Sequence, residues 1–209
     1  MNIALINASP KIKESASSLL LGELKNLLPS THQVKEFSIR KPVLTEEEIE
    51  ALQNYSTWVF VQPLYIDAIP SHLLSCLCQL EQVSFAEQTI HVYAIVNGGH
   101  YEGKQSRHAL GIMENWCKKT GLQWGMGIGF GGSGALDQIT GVPLGYGPKK
   151  KLGVAYETLA RAILSQKSGE NIYVSVGLPR FVYKFLGEMG WRKQIKANGG
   201  KWKDLKRKV

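Results

Sequence analysis

The chain has 209 residues, 44% hydrophobic and 20% charged, which fits a soluble globular protein able to bury a substantial core. Cys76, Cys78 and Cys117 show no paired C-x-x-C spacing, which argues against a disulfide framework and a metal site and makes a cytoplasmic location the expectation. Of the formal net charge of +8, all sits in residues 180–209, where ten Lys or Arg face only Glu188 and Asp204, so no nucleic-acid partner is expected for the main domain.

The N-terminal run Asn2–Asn7 lacks the charged flank of a signal peptide and reads as a buried strand. Leu20, Leu24, Leu27 and Leu28 recur at helical spacing in a helix predicted over Ser17–Leu28. Gln33–Ser38 reads as a second strand and Thr45–Asn54 as a helix with Thr45 and Glu48 in a capping-box pattern. The third strand is Ser56–Gln62, followed by a loop from Pro63 to Pro70 and a helix over Ser71–Leu80. Thr89–Val96 and Gln123–Phe130 are the fourth and fifth strands, with helices over Lys104–Thr120 and Lys149–Lys167. No apolar run approaches the ~20 residues that span a bilayer. Five strand–helix alternations predict an α/β sandwich on a five-stranded parallel sheet, residues 1–178, with a basic, partly helical extension over 179–209.

In such sheets ligands bind at the carboxyl ends of strands, where strand order reverses. The order 2-1-3-4-5 brings together the ends of strands one, three and four, which carry the unusual loops. The first loop, "NASPKIKESASS", puts Ser9, Ser15, Ser17 and Ser18 before a helix N-terminus, whose free amides and partial positive charge suit a phosphate. One serine would serve an ordinary cap. The second, "PLYIDAIPSHL", offers Tyr65 among apolar neighbours to a planar ring or to local packing. The third, "NGGHYEG", has Gly98 and Gly99 for close backbone approach, with His100 and Tyr101 beside them, or is a simple turn.

These three stretches resemble, in order and spacing, the flavodoxin-like NAD(P)H-dependent FMN reductases over about residues 1–167. The first is similar to that family's N-G-S-P-(K/R)…S-N-T…L signature, the second to its P-L-Y…P loop, and "GHYE" to its G-F-P-E stretch. The resemblance implies a flavodoxin-like three-layer fold with FMN phosphate on Ser9, Lys11, Ser15, Ser17 and Ser18. It implies a flavin ring lined by Pro63, Leu64, Tyr65 and Ile66, with Asn97, Gly98 and Gly99 at the ring's polar edge and His100 and Tyr101 nearby. Ala8, Ala16 and His100-Tyr101 stand where the family has Gly, Asn and Phe-Pro. It further implies hydride transfer from NAD(P)H to flavin N5, a small quinone, nitro, azo, flavin or ferric acceptor, and a homodimer. The cofactor carries such chemistry, and no catalytic acid or base is nominated. An electron carrier of flavodoxin type and a flavin-free binding module are the alternatives.

Gly127–Gly132 and Gly129–Gly134 each satisfy G-x-G-x-x-G, but they lie in or after the last strand, not at a strand-to-helix turn, and read as a strand that admits a close neighbour. His32, His72, His91, His100 and His108 lack metal-ligand spacing. Glu102 is expected to support its loop, and Cys117 to be buried or at a dimer contact. In the tail, Phe181, Val182, Phe185, Leu186 and Met189 form a helical stripe. It would dock on the domain or its dimer mate or, alternatively, touch an anionic membrane surface.

Overall fold

The computed structural model describes residues 1–12, 15–85 and 89–206, with side chains to residue 204. The tail cations Arg207 and Lys208 lie outside the described residues. Strands β1 (Asn2–Asn7), β2 (Gln33–Ser38), β3 (Thr57–Pro63), β4 (His91–Gly98), β5 (Gln123–Gly131) and β6 (Ile172–Ser175) form one parallel sheet in the order β2-β1-β3-β4-β5-β6. Helices α1 (Ala16–Leu27), α2 (Glu46–Gln53), α3 (Ser71–Leu80), α4 (Arg107–Thr120) and α5 (Lys150–Ser165) connect them, and α6 (Arg180–Ala197) follows. The capping box at Thr45 and Glu48 is formed at both ends.

Period-two alternation divides the strands' side chains between two cores. Ala4, Ile6, Trp58 and Phe60 join Leu52 of α2, Leu73 and Leu77 of α3, and Leu110 and Met113 of α4. Ile3, Leu5, Val59 and Val61 join Leu20 and Leu24 of α1 and Tyr156 and Leu159 of α5 on the other face. Each fully buried large apolar side chain contributes about 1.5–3 kcal/mol, so both layers are firmly held. The result is a three-layer flavodoxin-like sandwich.

One expectation is corrected: the sheet has six strands, not five. Ile128–Gly131 of β5 pairs in parallel with Ile172–Ser175, a four-residue edge strand beyond α5. The glycines of β5 make room for close neighbours, as their context suggested. A Cβ on Gly129 would lie 2.7 Å from the Gly103 carbonyl oxygen, and one on Gly131 2.3 Å from that of Tyr101. The repeated glycines therefore seat the loop after β4 inside the fold and make no dinucleotide turn.

Candidate functional site

Connections from β1 run to one side of the sheet and those from β3 to the other, so a crevice opens between their carboxyl ends. A cleft of about 240 Å³ occupies it. It is lined by Ser9, Lys11, Ser15, Ala16 and Ser17 after β1, by Pro63, Leu64 and Tyr65 at and after the end of β3, and by Asn97 and Gly99 at and after the end of β4. Three stretches far apart in sequence, from Ser9 to Gly99, thus meet around one space.

At the cradle end, Ser15 is the α1 N-cap: its hydroxyl accepts from the Ser18 amide at 3.1 Å and shares a 2.8 Å hydrogen bond with the Ser18 hydroxyl. Asn7 Nδ2 donates to Ser18 Oγ at 3.1 Å. Ser18 is therefore committed to the cap and stands behind the cleft. The amides of Ala16 and Ser17 donate to no acceptor among the described residues, which leaves two first-turn donors for a ligand. Ser17 Oγ accepts from Asn97 Nδ2 at 2.8 Å, so its own proton is free to point outward. Ser9 is buried and its hydroxyl receives the Lys11 amide at 3.4 Å, while the Lys11 side chain is exposed at the rim. Free amides, hydroxyl donors and an ammonium at one helix terminus fit a phosphate-sized anion, and the hydroxyls of Ser9, Ser15 and Ser17 are held by other hydrogen bonds.

The ring-facing end is flatter. Tyr65 and Ala68 exchange main-chain hydrogen bonds of 3.0 and 3.1 Å around Ile66 and Asp67, whose φ angles are 49° and 61°. Two successive left-handed residues make a tight hairpin that holds Tyr65, half exposed, over the cleft. Ile66 at its tip is 99% exposed and does not line the cleft. Gly98 lies in β4, with the position of a Cβ 3.3 Å from Leu64 Cδ2, so it seats the second loop against the third. His100 is exposed and does not line the cleft. Tyr101 turns toward the C-terminal segment: its hydroxyl donates to the Leu178 carbonyl at 2.6 Å, and its ring tilts against that of Tyr183. Glu102 pairs with Arg180 at the start of α6.

A fourth wall comes from the turn over residues 133–138, which places Ser133, Gly134 and Asp137 in the cleft. These were missed because a glycine-rich loop carries no sign of its direction. Among the described residues no cluster of His, Cys, Asp or Glu is arranged to hold a metal, and no helix is long and apolar enough to cross a membrane. Cys117 is fully buried, and burial raises its pKa to about 12, so it is held as a thiol.

No protein-family model and no curated protein matches the chain. Solved structures do share its fold. Smu.1420 from Streptococcus mutans UA159 superposes with a TM-score of 0.57 at 12% identity, covering 78% of this chain and all of that one. NAD(P)H:quinone oxidoreductase from Methanothermobacter marburgensis gives 0.57 at 14%, covering 81% and 97%. An FMN-dependent NADH-azoreductase from Bacillus anthracis str. Ames Ancestor, solved with FMN, gives 0.51 at 17%, covering 79% and 99%. At these identities the likeness is one of fold, and it agrees with the flavodoxin-like class that the sheet order defines.

Proposed function

We propose that this chain is an FMN-dependent NAD(P)H oxidoreductase acting on a small electron acceptor. The observation that carries the reading is the meeting of an anion cradle at the N-terminus of α1 with a tyrosine-bearing hairpin and the Asn97–Gly99 edge in one cleft. The fold-level neighbours that use FMN or NAD(P)H support it. Ser9, Lys11, Ser15, Ser17 and the Ala16 amide would hold the phosphate. Pro63, Leu64 and Tyr65 would flank the ring, with Asn97 and Gly99 near its polar edge. Bound FMN would supply the chemistry, passing electrons from the nicotinamide to a quinone, nitro, azo, flavin or ferric acceptor. The chain's part is to fix the cofactor, keep one ring face open through the cleft mouth, and set dipoles at the polar edge.

A visible spectrum of the purified protein after FMN addition and desalting, then after NADPH or NADH, tests this. Retained flavin absorbance that bleaches at once is the expected result. Retained flavin that neither nucleotide bleaches identifies an electron carrier instead, and absence of flavin absorbance identifies a flavin-free module.

A further inference from the structure

Helix α6 buries none of its residues, yet it is rich in large apolar side chains. At about 100° per residue, Phe181, Phe185 and Met189 form one stripe along its first two and a half turns. They are 75%, 59% and 50% exposed, and Trp191 on the adjoining side is 63% exposed. The helix meets the domain through Tyr183, on the far side from the stripe: its ring is partly buried against the second core, and its hydroxyl donates to the Gly99 carbonyl at 2.5 Å. Arg180 pairs with Glu102 and lies 5.3 Å over the Tyr101 ring. The helix is thus anchored at its start, and its outward face is left uncovered by the described residues.

We propose that this outward face is a docking surface for an anionic lipid bilayer, on which α6 lies flat. Charge decides the occupant. Lys184 and Lys193 flank the apolar stripe and Lys196 continues it, and none of these forms an ion pair among the described residues. Lys201 and Lys203 follow, also unpaired there. A second copy packed on the same face would bring two +8 tails together, and the remainder of the chain has no net charge to attract one. An anionic surface offers the complementary sign and an apolar layer at the depth that Phe, Met and Trp side chains reach. The stripe is too short and too cationic to span a membrane, so it settles at the interface.

The test is co-sedimentation of the full chain with vesicles of phosphatidylcholine alone or with about 30% phosphatidylglycerol, a fraction chosen to give a strongly negative surface. Binding at least tenfold stronger to the anionic vesicles is expected. In the F181S/F185S/M189S variant that binding falls at least tenfold. In K184Q/K193Q/K196Q it falls about fivefold for each lysine removed, since each cation near such a surface has roughly that effect. All six side chains are exposed or on the rim, and far-UV circular dichroism confirms that the variants remain folded. Three results would overturn the proposal: equal binding to both vesicles, full binding by the serine variant, or a wild-type dimer in sedimentation equilibrium that the serine variant splits into monomers. The last would make a second copy the occupant.

Discussion

The side-chain amide of Asn97, at the end of β4, donates to Ser17 Oγ in the first turn of α1 at 2.8 Å, across 80 residues of sequence. Its second N–H goes to the Gln62 carbonyl at 2.9 Å, and because that carbonyl can only accept, it fixes which way the amide points. One buried side chain therefore ties the ends of β3 and β4 to the first turn of α1. Asn97→Ala leaves the Gln62 carbonyl without its donor and loosens Ser17, at a cost of about 1–3 kcal/mol. Asn97→Asp costs more, because a carboxylate cannot donate and brings a negative charge to the anion cradle. Urea unfolding measures the first effect, and FMN titration by flavin fluorescence is expected to weaken at least tenfold in both variants, by the loss of about one charge-assisted hydrogen bond. An unchanged midpoint in Asn97→Ala would remove Asn97 as the tie.

Most of this arrangement is legible before folding, and the illegible parts share a cause. β1, β3 and β4 read correctly because both faces are buried, so each is a continuous apolar run with turn residues at its end. The serines, the P-L-Y loop and the Asn-Gly-Gly turn sit at those ends, and topology alone brings them together. β6 escaped because a four-residue, half-exposed edge strand gives little pattern, and its pairing depends on β5 glycines over 40 residues earlier. Tyr101 misled for a similar reason. An aromatic in a site loop points wherever its hydroxyl finds an acceptor, and that acceptor is Leu178, 77 residues on. The direction of a side chain depends on a partner that local sequence does not name.

The hairpin under Tyr65 is built against residue preference. Ile66 is β-branched with φ at 49°, where such side chains crowd the backbone at a cost of about 1–2 kcal/mol. It is almost wholly exposed, so no packing compensates. Ile66→Asn or Ile66→Gly relieves the crowding and is expected to stabilise the chain by about 1 kcal/mol, raising Tm by about 2–4 °C. Calorimetry on the two variants checks it, and a lowered Tm in both would show that Ile66 makes a stabilising contact. If the hairpin serves the cleft, the same variants alter turnover with a bulky acceptor while FMN affinity stays constant.

Burial sets a pH limit. It raises the Cys76 thiol to about 11 and the Cys117 thiol and Tyr93 hydroxyl to about 12, from ordinary values of 9.0 and 10.0, and raises Tyr156 well above its ordinary value. Neighbouring Glu48 and Glu114 add to the effect on the two thiols. The folded chain keeps these protons in a range where the unfolded chain loses them. Their stabilising effect is therefore complete below pH 9 and declines as pH rises from 9 through 12. Thermal midpoints are expected to fall steadily above pH 9, an effect that Cys117→Ser reduces. A thiol reagent at pH 8 is expected to label exposed Cys78 quickly and the other two only on unfolding. Rapid labelling of all three would contradict the burial.

Lys149, with 4% of its side chain exposed, sits just before α5, where the helix's partial positive charge disfavours a cation. Its ammonium is stabilised by Glu23 of α1 at 2.6 Å, and the pair holds the start of α5 against the helix that carries the cradle. Glu23 has 22% of its side chain exposed, but its Oε2 is buried without a hydrogen-bond partner, so loss of Lys149 leaves the carboxylate stranded. Lys149→Met is then expected to cost about 3–5 kcal/mol, as for a broken buried pair. Replacing both, with Glu23→Gln and Lys149→Met, removes the stranded carboxylate and recovers most of that loss. The two single variants and the double variant form a cycle read by denaturant midpoint, with a coupling of at least about 1 kcal/mol expected. Additive losses would mean that the ion pair does not couple the helices, and α1 would then owe its position to Leu20, Leu21 and Leu24 and to the hydrogen bonds that Asn97 and Tyr156 donate to it.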